Sequence, residues 1–378
     1  LAKTPVPHVE PTEDQAQVPY DFPVLAAVVI LLGLGSLMVY ASTINEATLE
    51  FGDGAARLKI HLLHVLVGIT VLTFGMIFPY RRWRKLVYPG LFITVGLLVL
   101  VMVVGRTAGN ARRWITLPGF SLQPAEVAKL AFVIFLAYSL AKKAGQIRRF
   151  GPAFVPHLLV CGILIFLCLF QPDFGTCIIL VTLMFVMLFV AGTKLSYITL
   201  FVFVGAFLVF QAVASNDMRL GRVLAFIDPW AYRTGTGYQM VNSLIAIGSG
   251  GWQGRGFMEG TQAQLDYIPE QHTDFILTVI AEEFGFLGAT GLLLLWAAIL
   301  AWGLYIAGRS TSLFGRFAAV GCVATVAFFI LFNVAMVLGL APVIGVALPL
   351  LSYGGSAIVT TLVALGLLLN VSMRRYVF

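Results

Sequence analysis

Charge is the property that this sequence has least of. Only 11% of its 378 residues are Asp, Glu, Lys or Arg, and 60% are hydrophobic, whereas a soluble domain carries about 25% charged residues. A water-soluble globule of this size could not bury so much apolar surface, but a lipid bilayer can cover it. The composition therefore excludes an ordinary soluble enzyme and predicts an integral membrane protein.

Cysteine is also scarce, and its placement excludes two kinds of site. The four cysteines, Cys161, Cys168, Cys177 and Cys322, all lie in apolar runs and form no CxxC pair. Neither a zinc site nor a disulfide framework is indicated, and these residues are expected to be small buried side chains. The tail up to Tyr20 lacks a basic n-region, so no cleavable signal peptide is predicted there.

The net charge of +7 raises the alternative of a nucleic-acid-binding protein. However, the basic residues form no stripe beside aromatic residues. They fall in short loops between apolar runs, which is how a membrane protein sets its orientation. No nucleic-acid partner is therefore predicted.

Long apolar runs dominate the rest of the chain. A membrane-spanning helix needs about 20 mostly apolar residues. Ten candidate runs cover residues 22–42, 60–79, 86–105, 124–141, 153–170, 176–192, 195–215, 286–308, 317–340 and 352–373. We therefore predict an all-α integral membrane protein with about ten transmembrane helices, in a single membrane domain over residues 22–373.

Loop charges predict the orientation of these spans, because cytoplasmic loops are enriched in Lys and Arg. The basic residues concentrate in alternate loops and at the C-terminus. They are Arg81, Arg82, Arg84, Lys85, Lys142, Lys143, Arg148, Arg149, Lys194, Arg309, Arg316, Arg374 and Arg375. With ten spans, both termini (residues 1–21 and 374–378) are then cytoplasmic, and the other loops are extracytoplasmic.

One extracytoplasmic loop, residues 216–273 between the seventh and eighth spans, is much longer than the others. Long loops in compact proteins are usually either functional or disordered. This loop contains aromatic and apolar residues such as Trp230 and Trp252, which disordered segments lack. We therefore predict that it is partly helical and packs back onto the bundle.

Two ionisable residues, Glu126 and Lys129, lie near the outer start of the fourth span. Their i, i+3 spacing puts them on one helix face and within reach of each other. A charge in hydrocarbon costs several kcal/mol unless it is paired or hydrated. The two residues either form a structural ion pair or line a polar cavity, and the sequence leaves both alternatives open.

Three further outer segments carry polar residues. Asp173 lies in a Pro-Gly turn between the fifth and sixth spans, where it is expected to cap a helix. Arg112 and Arg113 lie on an outer loop against the charge bias, so they are expected to bind either a phosphate or lipid headgroups, since the planar guanidinium suits both. Trp114 beside them is expected at the membrane interface.

The long loop adds positive charge at Arg222 and Arg255 and ends in an acidic segment. Residues 267–275 hold Glu270, His272 and Asp274 just before an apolar helix. Asp274 could serve as the N-cap of that helix or as a general base at the membrane surface. Chemistry alone leaves both alternatives open.

Several of these segments together resemble the SEDS family (shape, elongation, division, sporulation), whose members include RodA and FtsW. The matching stretches are ARRW (111–114), QPAEVAK (123–129), QPDFG (171–175), IDPW (227–230), GYQ (237–239), AIGSGG (246–251), PEQHTDF (269–275) and LPLLSYGGS (348–356). Each is weak alone, but they run in the family's order along nearly the whole chain. The stretches GTQAQL (260–265) and PVIGV (342–346) favour a RodA-like rather than an FtsW-like chain.

The resemblance implies an enzyme that polymerises lipid II, a disaccharide-pentapeptide on a polyprenyl pyrophosphate, at the outer face of the bacterial cytoplasmic membrane. It implies that Asp274 is the catalytic carboxylate and that Glu126 and Lys129 face a central cavity. Gln123, Asp173, His272 and Ser352 also fall in family motifs. A RodA-like chain would serve cell elongation and rod shape.

The implied chemistry is an inverting displacement, because an α-linked sugar pyrophosphate becomes a β-1,4 bond. One displacement needs one base on the acceptor hydroxyl. The pyrophosphate leaving group needs positive charge from arginines, Lys129 or a divalent cation such as Mg²⁺ or Mn²⁺. The expected partners are lipid II, membrane lipids and a class B penicillin-binding protein transpeptidase. The rival functions are a lipid II flippase or transporter, an FtsW-type division polymerase and a non-catalytic scaffold.

Overall fold

The computed structural model describes residues 20–374 except 109, 110, 118, 119, 216 and 266, and the side chains of some further residues, including Arg222, lie outside that description. The helices are α1 (Phe22–Phe51), α2 (Ala56–Ile77), α3 (Tyr80–Val104), α4 (Pro124–Lys142), α5 (Phe150–Phe170), α6 (Phe174–Val190), α7 (Leu195–Ala214), α8 (Asp217–Ile227), α9 (Tyr238–Gly250), α10 (Thr261–Gln264), α11 (Ile276–Arg309), α12 (Leu313–Val337) and α13 (Gly355–Met373). A 3-10 turn covers Ala144–Gln146. The predicted tails, residues 1–21 and 374–378, fall almost entirely outside the described residues.

Ten of these helices account for the ten predicted spans. Within the described residues, α1–α4 and α11–α13 are long and apolar enough to cross a membrane, and α5, α6 and α7 contain shorter apolar helices. The prediction of a helical, multi-pass membrane protein is therefore confirmed. The segment between α7 and α11 contains α8, α9 and α10, so the long loop is partly helical as predicted.

The prediction of a purely helical chain is incomplete, because the connection between α3 and α4 forms a small antiparallel sheet. Its strands are β1 (Arg106–Ala108), β2 (Ala111–Leu117) and β3 (Phe120–Leu122), in the order β1-β2-β3. Pairing its strands satisfies backbone groups that an open loop would leave to water. We call the end of the bundle that carries this sheet and residues 217–275 the loop end.

The centre of the bundle is formed by α4, α12 and α13. In its most apolar window, α4 has 72% of its residues buried and α13 has 67%, whereas α3 has only 22%. Helix α7 is exposed along most of its length, and Phe203, Phe207 and Phe210 point away from the protein. An apolar exposed helix at the periphery is what contact with lipid requires. Side chains on α4 can therefore be surrounded by other parts of the protein rather than by lipid.

The eighth span differs from the prediction. The helix begins at Ile276 rather than at residue 286, and it bends at Gly285, where φ is 66° and ψ is −165°. A Cβ at Gly285 would collide with the backbone of Gly254, so only glycine fits this bend. Apolar periodicity missed the first turns because the segment 276–284 contains Glu282 and Glu283, which ended the apolar run.

Candidate functional site

Asp274 lies in the turn that leads into α11, at the loop end. The N-cap residue of α11 is Phe275, so the alternative that Asp274 is the N-cap is wrong. The turn is closed by its own backbone, because the N–H groups of Thr273 and Asp274 both donate to the carbonyl oxygen of Glu270 at 3.1 Å. The Asp274 side chain is therefore available for another role.

The connection between α12 and α13 fixes this turn from outside. The Tyr353 backbone N–H donates to the His272 carbonyl at 2.8 Å, and the Ser352 hydroxyl donates to the Thr273 carbonyl at 2.6 Å. The same hydroxyl accepts the backbone N–H of Leu348 at 2.8 Å. Ser352, which lies in a stretch that carries the resemblance, therefore ties the α12–α13 connection to the turn that holds Asp274.

Burial changes the acidity of Asp274. The residue is half-buried, and a Cβ placed on Gly345 would lie 3.3 Å from its Oδ2 atom. Loss of contact with water, with a smaller contribution from the nearby Glu270 carboxylate, raises the pKa of Asp274 to about 7. A carboxylate with a pKa near neutrality is well matched to general base catalysis.

Glu126 and Lys129 form the ion pair that their spacing predicted. The Lys129 Nζ atom lies 2.6 Å from Glu126 Oε1, and both side chains are buried. The Thr360 hydroxyl donates to Glu126 Oε2 at 3.1 Å, and Lys129 Nζ lies 4.3 Å from the centre of the Phe329 ring. Helices α4, α12 and α13 thus all contribute to the surroundings of this pair.

Two cavities adjoin the ion pair. One is small and partly open, and it is lined by Glu126, Lys129 and residues of α12 and α13. The other shares Glu126, Phe329 and Thr361 with the first and extends to Ser352 in the connection that holds Asp274. Glu126 and Lys129 therefore form an ion pair and also line a cavity, so this geometry is compatible with both alternatives that the sequence left open.

Asp173 acts as the helix cap that the sequence predicted. It is the N-cap residue of α6: its Oδ1 atom accepts the Thr176 backbone N–H at 3.1 Å, and Oδ2 accepts the Thr176 hydroxyl at 2.8 Å. Gln123, just before α4, lies close by, with its Nε2 atom 3.4 Å from Asp173 Oδ2. These two residues join the starts of α4 and α6. The Gly345 segment that faces Asp274 also lies beside them, because a Cβ on Gly175 would lie 3.8 Å from Asp173 Oδ1 and 3.9 Å from the Gly345 carbonyl oxygen.

The outer arginines and their tryptophan lie on strand β2. Arg113 donates from Nε to the Gln171 carbonyl at 2.8 Å and from Nη2 to the Pro172 carbonyl. Arg112 is exposed and lies 3.4 Å from the Met102 carbonyl. Half-buried Trp114 is paired with Arg106 of β1. Arg113 therefore ties the sheet to the α5–α6 turn, which neither predicted role for it had anticipated.

Arg255 has a structural role in the long loop. Its Nη1 atom donates to the Thr261 hydroxyl at 3.0 Å. Beside it, buried Glu282 accepts the backbone N–H groups of Gln262 at 3.0 Å and Ala263 at 3.2 Å, which anchors the start of α10. Arg222 falls in α8, but its side chain lies outside the described residues.

His272 contacts a residue that the sequence analysis did not identify. Arg57 Nη1 lies 3.3 Å from His272 Nε2, and Arg57 also pairs with Glu46 at 2.5 Å and Glu50 at 3.0 Å. An arginine can only donate, so His272 can accept this hydrogen bond only through an unprotonated Nε2 atom. This network joins the α1–α2 hairpin to the turn that holds Asp274, and no local sequence signal indicates such a long-range contact.

A divalent cation finds no ready-made site in the described part of the chain. Within it, no cluster of three or more His, Cys, Asp or Glu residues could hold a metal ion. Mg²⁺ is usually held by one or two carboxylates together with substrate phosphates, so the divalent cation stays a prediction.

Comparison with known proteins places the chain among wall-synthesis proteins. It is 40% identical over 357 residues to the probable peptidoglycan glycosyltransferase FtsW of Geobacter sp. (strain M18), covering 94% of this chain and 97% of the relative. It is 38% identical over 347 residues to stage V sporulation protein E of Bacillus subtilis, covering 91% and 94%.

Solved structures agree. One structural neighbour comes from work on structural coordination of polymerization and crosslinking by a peptidoglycan synthase complex. It has a TM-score of 0.80 and a sequence identity of 30%, and the match covers 95% of this chain and 99% of that chain. Rod shape determining protein RodA of Thermus thermophilus has a TM-score of 0.71 and 28% identity, covering 95% and 98%.

The sequence relatives bear on the RodA-like prediction. They are named FtsW or stage V sporulation protein E, so the RodA-like subtype is not supported and the comparison leans towards FtsW. The family itself is not in doubt, because the FtsW/RodA/SpoVE cell cycle protein family matches residues 23–377. This chain belongs to that family, the SEDS family that its motifs predicted.

Proposed function

We propose that this protein is a peptidoglycan glycosyltransferase that polymerises lipid II into β-1,4 glycan strands at the outer face of the cytoplasmic membrane. The observation that carries the proposal is Asp274, a half-buried carboxylate with a pKa raised to about 7. It lies in a turn held by Ser352, and Ser352 also lines the cavity that contains Glu126. The relatives named peptidoglycan glycosyltransferase support the same chemistry.

In the proposed reaction, Asp274 removes the proton from the acceptor sugar hydroxyl. The resulting oxygen attacks the anomeric carbon of the donor sugar as the bond to the polyprenyl pyrophosphate breaks. One displacement inverts that carbon, so an α-linked donor gives a β-linked product and no second carboxylate is needed as nucleophile. The raised pKa favours this role, because a base works best when its pKa lies near the working pH.

The proposed role of the cavity is to hold the donor near Asp274. The ion pair of Glu126 and Lys129 places charge inside an otherwise apolar bundle, where it can bind polar parts of lipid II. Lys129 lines the cavity, while Arg113 lies on β2 and donates to two backbone carbonyls. These residues are the proposed sources of positive charge for the pyrophosphate.

We assign the FtsW-type division role in preference to the RodA-type elongation role. The support is the naming of the sequence relatives. A class B penicillin-binding protein is the proposed partner, since a structural neighbour comes from a synthase complex that combines polymerisation with crosslinking. A transpeptidase beside the polymerase would receive each strand as it forms. The lipid-facing helices are proposed to lie in the bacterial inner membrane with both termini in the cytoplasm.

The rival function is a lipid II flippase, which the buried ion pair and its cavity also favour. The deciding experiment reconstitutes the purified protein in vesicles with lipid II and measures both glycan strand synthesis and lipid translocation. Strand synthesis by the wild type is expected. Translocation without synthesis would overturn the proposal.

The matched variants are Asp274→Asn and Asp228→Asn. Asp274→Asn keeps the shape of the side chain but removes its basicity, so strand synthesis should fall by about two to four orders of magnitude. Asp228 lies in the same loop, is exposed, and accepts the Ala231 backbone N–H at 3.1 Å, a role that Asn can fill. Asp228→Asn should therefore polymerise normally. Synthesis by Asp274→Asn at the wild-type rate would refute the assignment of the base.

A further inference from the structure

Asn333 makes an unusual pair of contacts at the loop end of α12. Its Nδ2 atom donates to the Asp274 carbonyl at 2.7 Å and to the Val346 carbonyl at 2.7 Å. The side chain is completely buried. Its Oδ1 atom is also buried and has no hydrogen-bond partner among the described residues. The amide therefore acts here as a donor of two hydrogen bonds.

The two carbonyls belong to two separate segments of the chain, one that carries Asp274 and one that approaches its side chain. One belongs to Asp274 itself, and the other belongs to Val346, which directly follows Gly345. A Cβ on Gly345 would lie 3.3 Å from Asp274 Oδ2, and Gly345 has a φ of +71°. One amide thus holds both the backbone of the base and the backbone that faces its carboxylate.

We propose that Asn333 is a positioning residue for glycosyl transfer, which sets the gap between the Asp274 carboxylate and the Gly345 backbone. This inference rests on the proposed function, because it assigns Asn333 to the same reaction. Ser352 and Tyr353 fix the preceding carbonyls of the turn, and Asn333 is the one of these three that bonds to the Val346 carbonyl, directly after Gly345. Its loss should therefore affect the placement of the carboxylate more than the existence of the turn.

The gap also controls how much water reaches the base. Burial is the main reason that the pKa of Asp274 is raised, and the segment held by Asn333 forms part of that enclosure. If the two backbones separate, water enters and the pKa falls towards its ordinary value near 3.8. A base must be ionised to act, so activity would then persist to lower pH.

The test replaces Asn333 by leucine, which has the same number of side-chain heavy atoms and the same branching but donates no hydrogen bond. Asn370 on α13 offers a matched control, because it is also fully buried and its Nδ2 donates to two backbone carbonyls, those of Met76 and Phe78. Those contacts lie at the opposite end of the bundle. Asn333→Leu and Asn370→Leu thus each remove two bonds to backbone carbonyls, at different distances from Asp274. Asn370→Leu also removes the bond that its Oδ1 atom accepts from the Tyr80 backbone N–H at 2.9 Å.

Strand synthesis from lipid II is measured as kcat and KM over a range of pH, together with thermal unfolding in detergent. Asn333→Leu should lower kcat by about 10- to 100-fold, the usual effect of a small misplacement of a catalytic group, with KM little changed. The acid limb of its pH profile should move to lower pH. Asn370→Leu should lower the unfolding temperature while leaving kcat and the pH profile near wild type.

The outcomes separate this inference from the proposed function. A wild-type protein that does not polymerise lipid II sinks the proposed function. Active wild type, inactive Asp274→Asn, and an Asn333→Leu protein that behaves like Asn370→Leu sink only the positioning role. If Asn333→Leu does not fold, Asn333→Ser decides the question, because its hydroxyl keeps one donor. It should lose about 3- to 10-fold in kcat, as expected for one lost hydrogen bond, and an unchanged kcat and pH profile would overturn the inference.

Discussion

Breaking the ion pair between Glu126 and Lys129 tests how the cavity is held together. At an N–O distance of 2.6 Å, the attraction between the two charges is about 6 kcal/mol at an effective dielectric constant of about 20. Taking both charges out of water offsets much of this. Removing one partner is more costly than removing both, because it leaves one charge buried alone, at about 3–5 kcal/mol.

The perturbation is therefore a set of three variants. Lys129→Met keeps the length of the side chain but strands the Glu126 carboxylate, which retains only the Thr360 hydrogen bond at 3.1 Å. Glu126→Gln strands the Lys129 ammonium. The double variant strands neither. Because the cavity lets water approach the charges, we expect each single variant to lose about 3 kcal/mol, at the lower end of the range for a broken buried pair.

The assay is thermal unfolding in detergent combined with strand synthesis from lipid II. The double variant should be more stable than either single variant, yet it should remain inactive if the charges bind substrate. A charge-swapped protein, Glu126→Lys with Lys129→Glu, should likewise recover stability better than activity. Stability losses that simply add in the double variant would refute the coupling. Full activity of the neutral pair would reduce Glu126 and Lys129 to a structural role.

Three further predictions follow from the same geometry. The acid limb of kcat/KM should have a pKa of about 7 and should be absent in Asp274→Asn. Because the pKa of Asp274 is raised from 3.8 in the folded state, stability is lost as the pH rises through about 7. Asp274→Asn should therefore raise the unfolding temperature more at pH 8 than at pH 5, and a difference in the other direction would contradict the pKa shift. The orientation is tested with single cysteines in a background that lacks the four buried native cysteines. A cysteine at exposed Gln253 should react with an impermeant thiol reagent on intact cells, whereas a cysteine at Gln146 should react only after lysis. The reverse pattern would overturn the proposed orientation. Gly250→Ala should destabilise the protein strongly, because the new Cβ would collide with the backbone of α11. The control Gly248→Ala should be neutral or slightly stabilising, because a Cβ there meets nothing within 4 Å. Equal unfolding temperatures for the two variants would refute the close packing of α9 on α11.

Features that depend on neighbouring residues were predictable from the sequence. The ion pair of Glu126 and Lys129 follows from i, i+3 spacing on one helix. The Asp173 cap follows from a short polar side chain beside Pro and Gly at the start of an apolar run. Both need only a few residues of context, so the local pattern was sufficient.

Predictions from short stretches were less successful for two features, the subtype within the family and the start of the eighth span. The stretches 260–265 and 342–346 favoured a RodA-like chain, but the relatives over most of its length are named FtsW or stage V sporulation protein E. The residues just before 286 were left out of the eighth span because buried charges interrupted its apolar pattern. In the fold, Glu282 is satisfied by the backbone N–H groups of Gln262 and Ala263, a pairing that hydropathy does not record.

The sequence by itself determined that the chain spans a membrane about ten times, because the hydrophobic effect that places a helix in the bilayer depends directly on the composition and length of its apolar runs. Only the tertiary structure decided how the turn that holds Asp274 is fixed in place. Asn333 reaches Asp274 across 59 residues and Ser352 reaches Thr273 across 79. Hydrogen bonds of this kind depend on how the helices pack against one another. No pattern within a single helix specifies which carbonyl a buried amide or hydroxyl will meet.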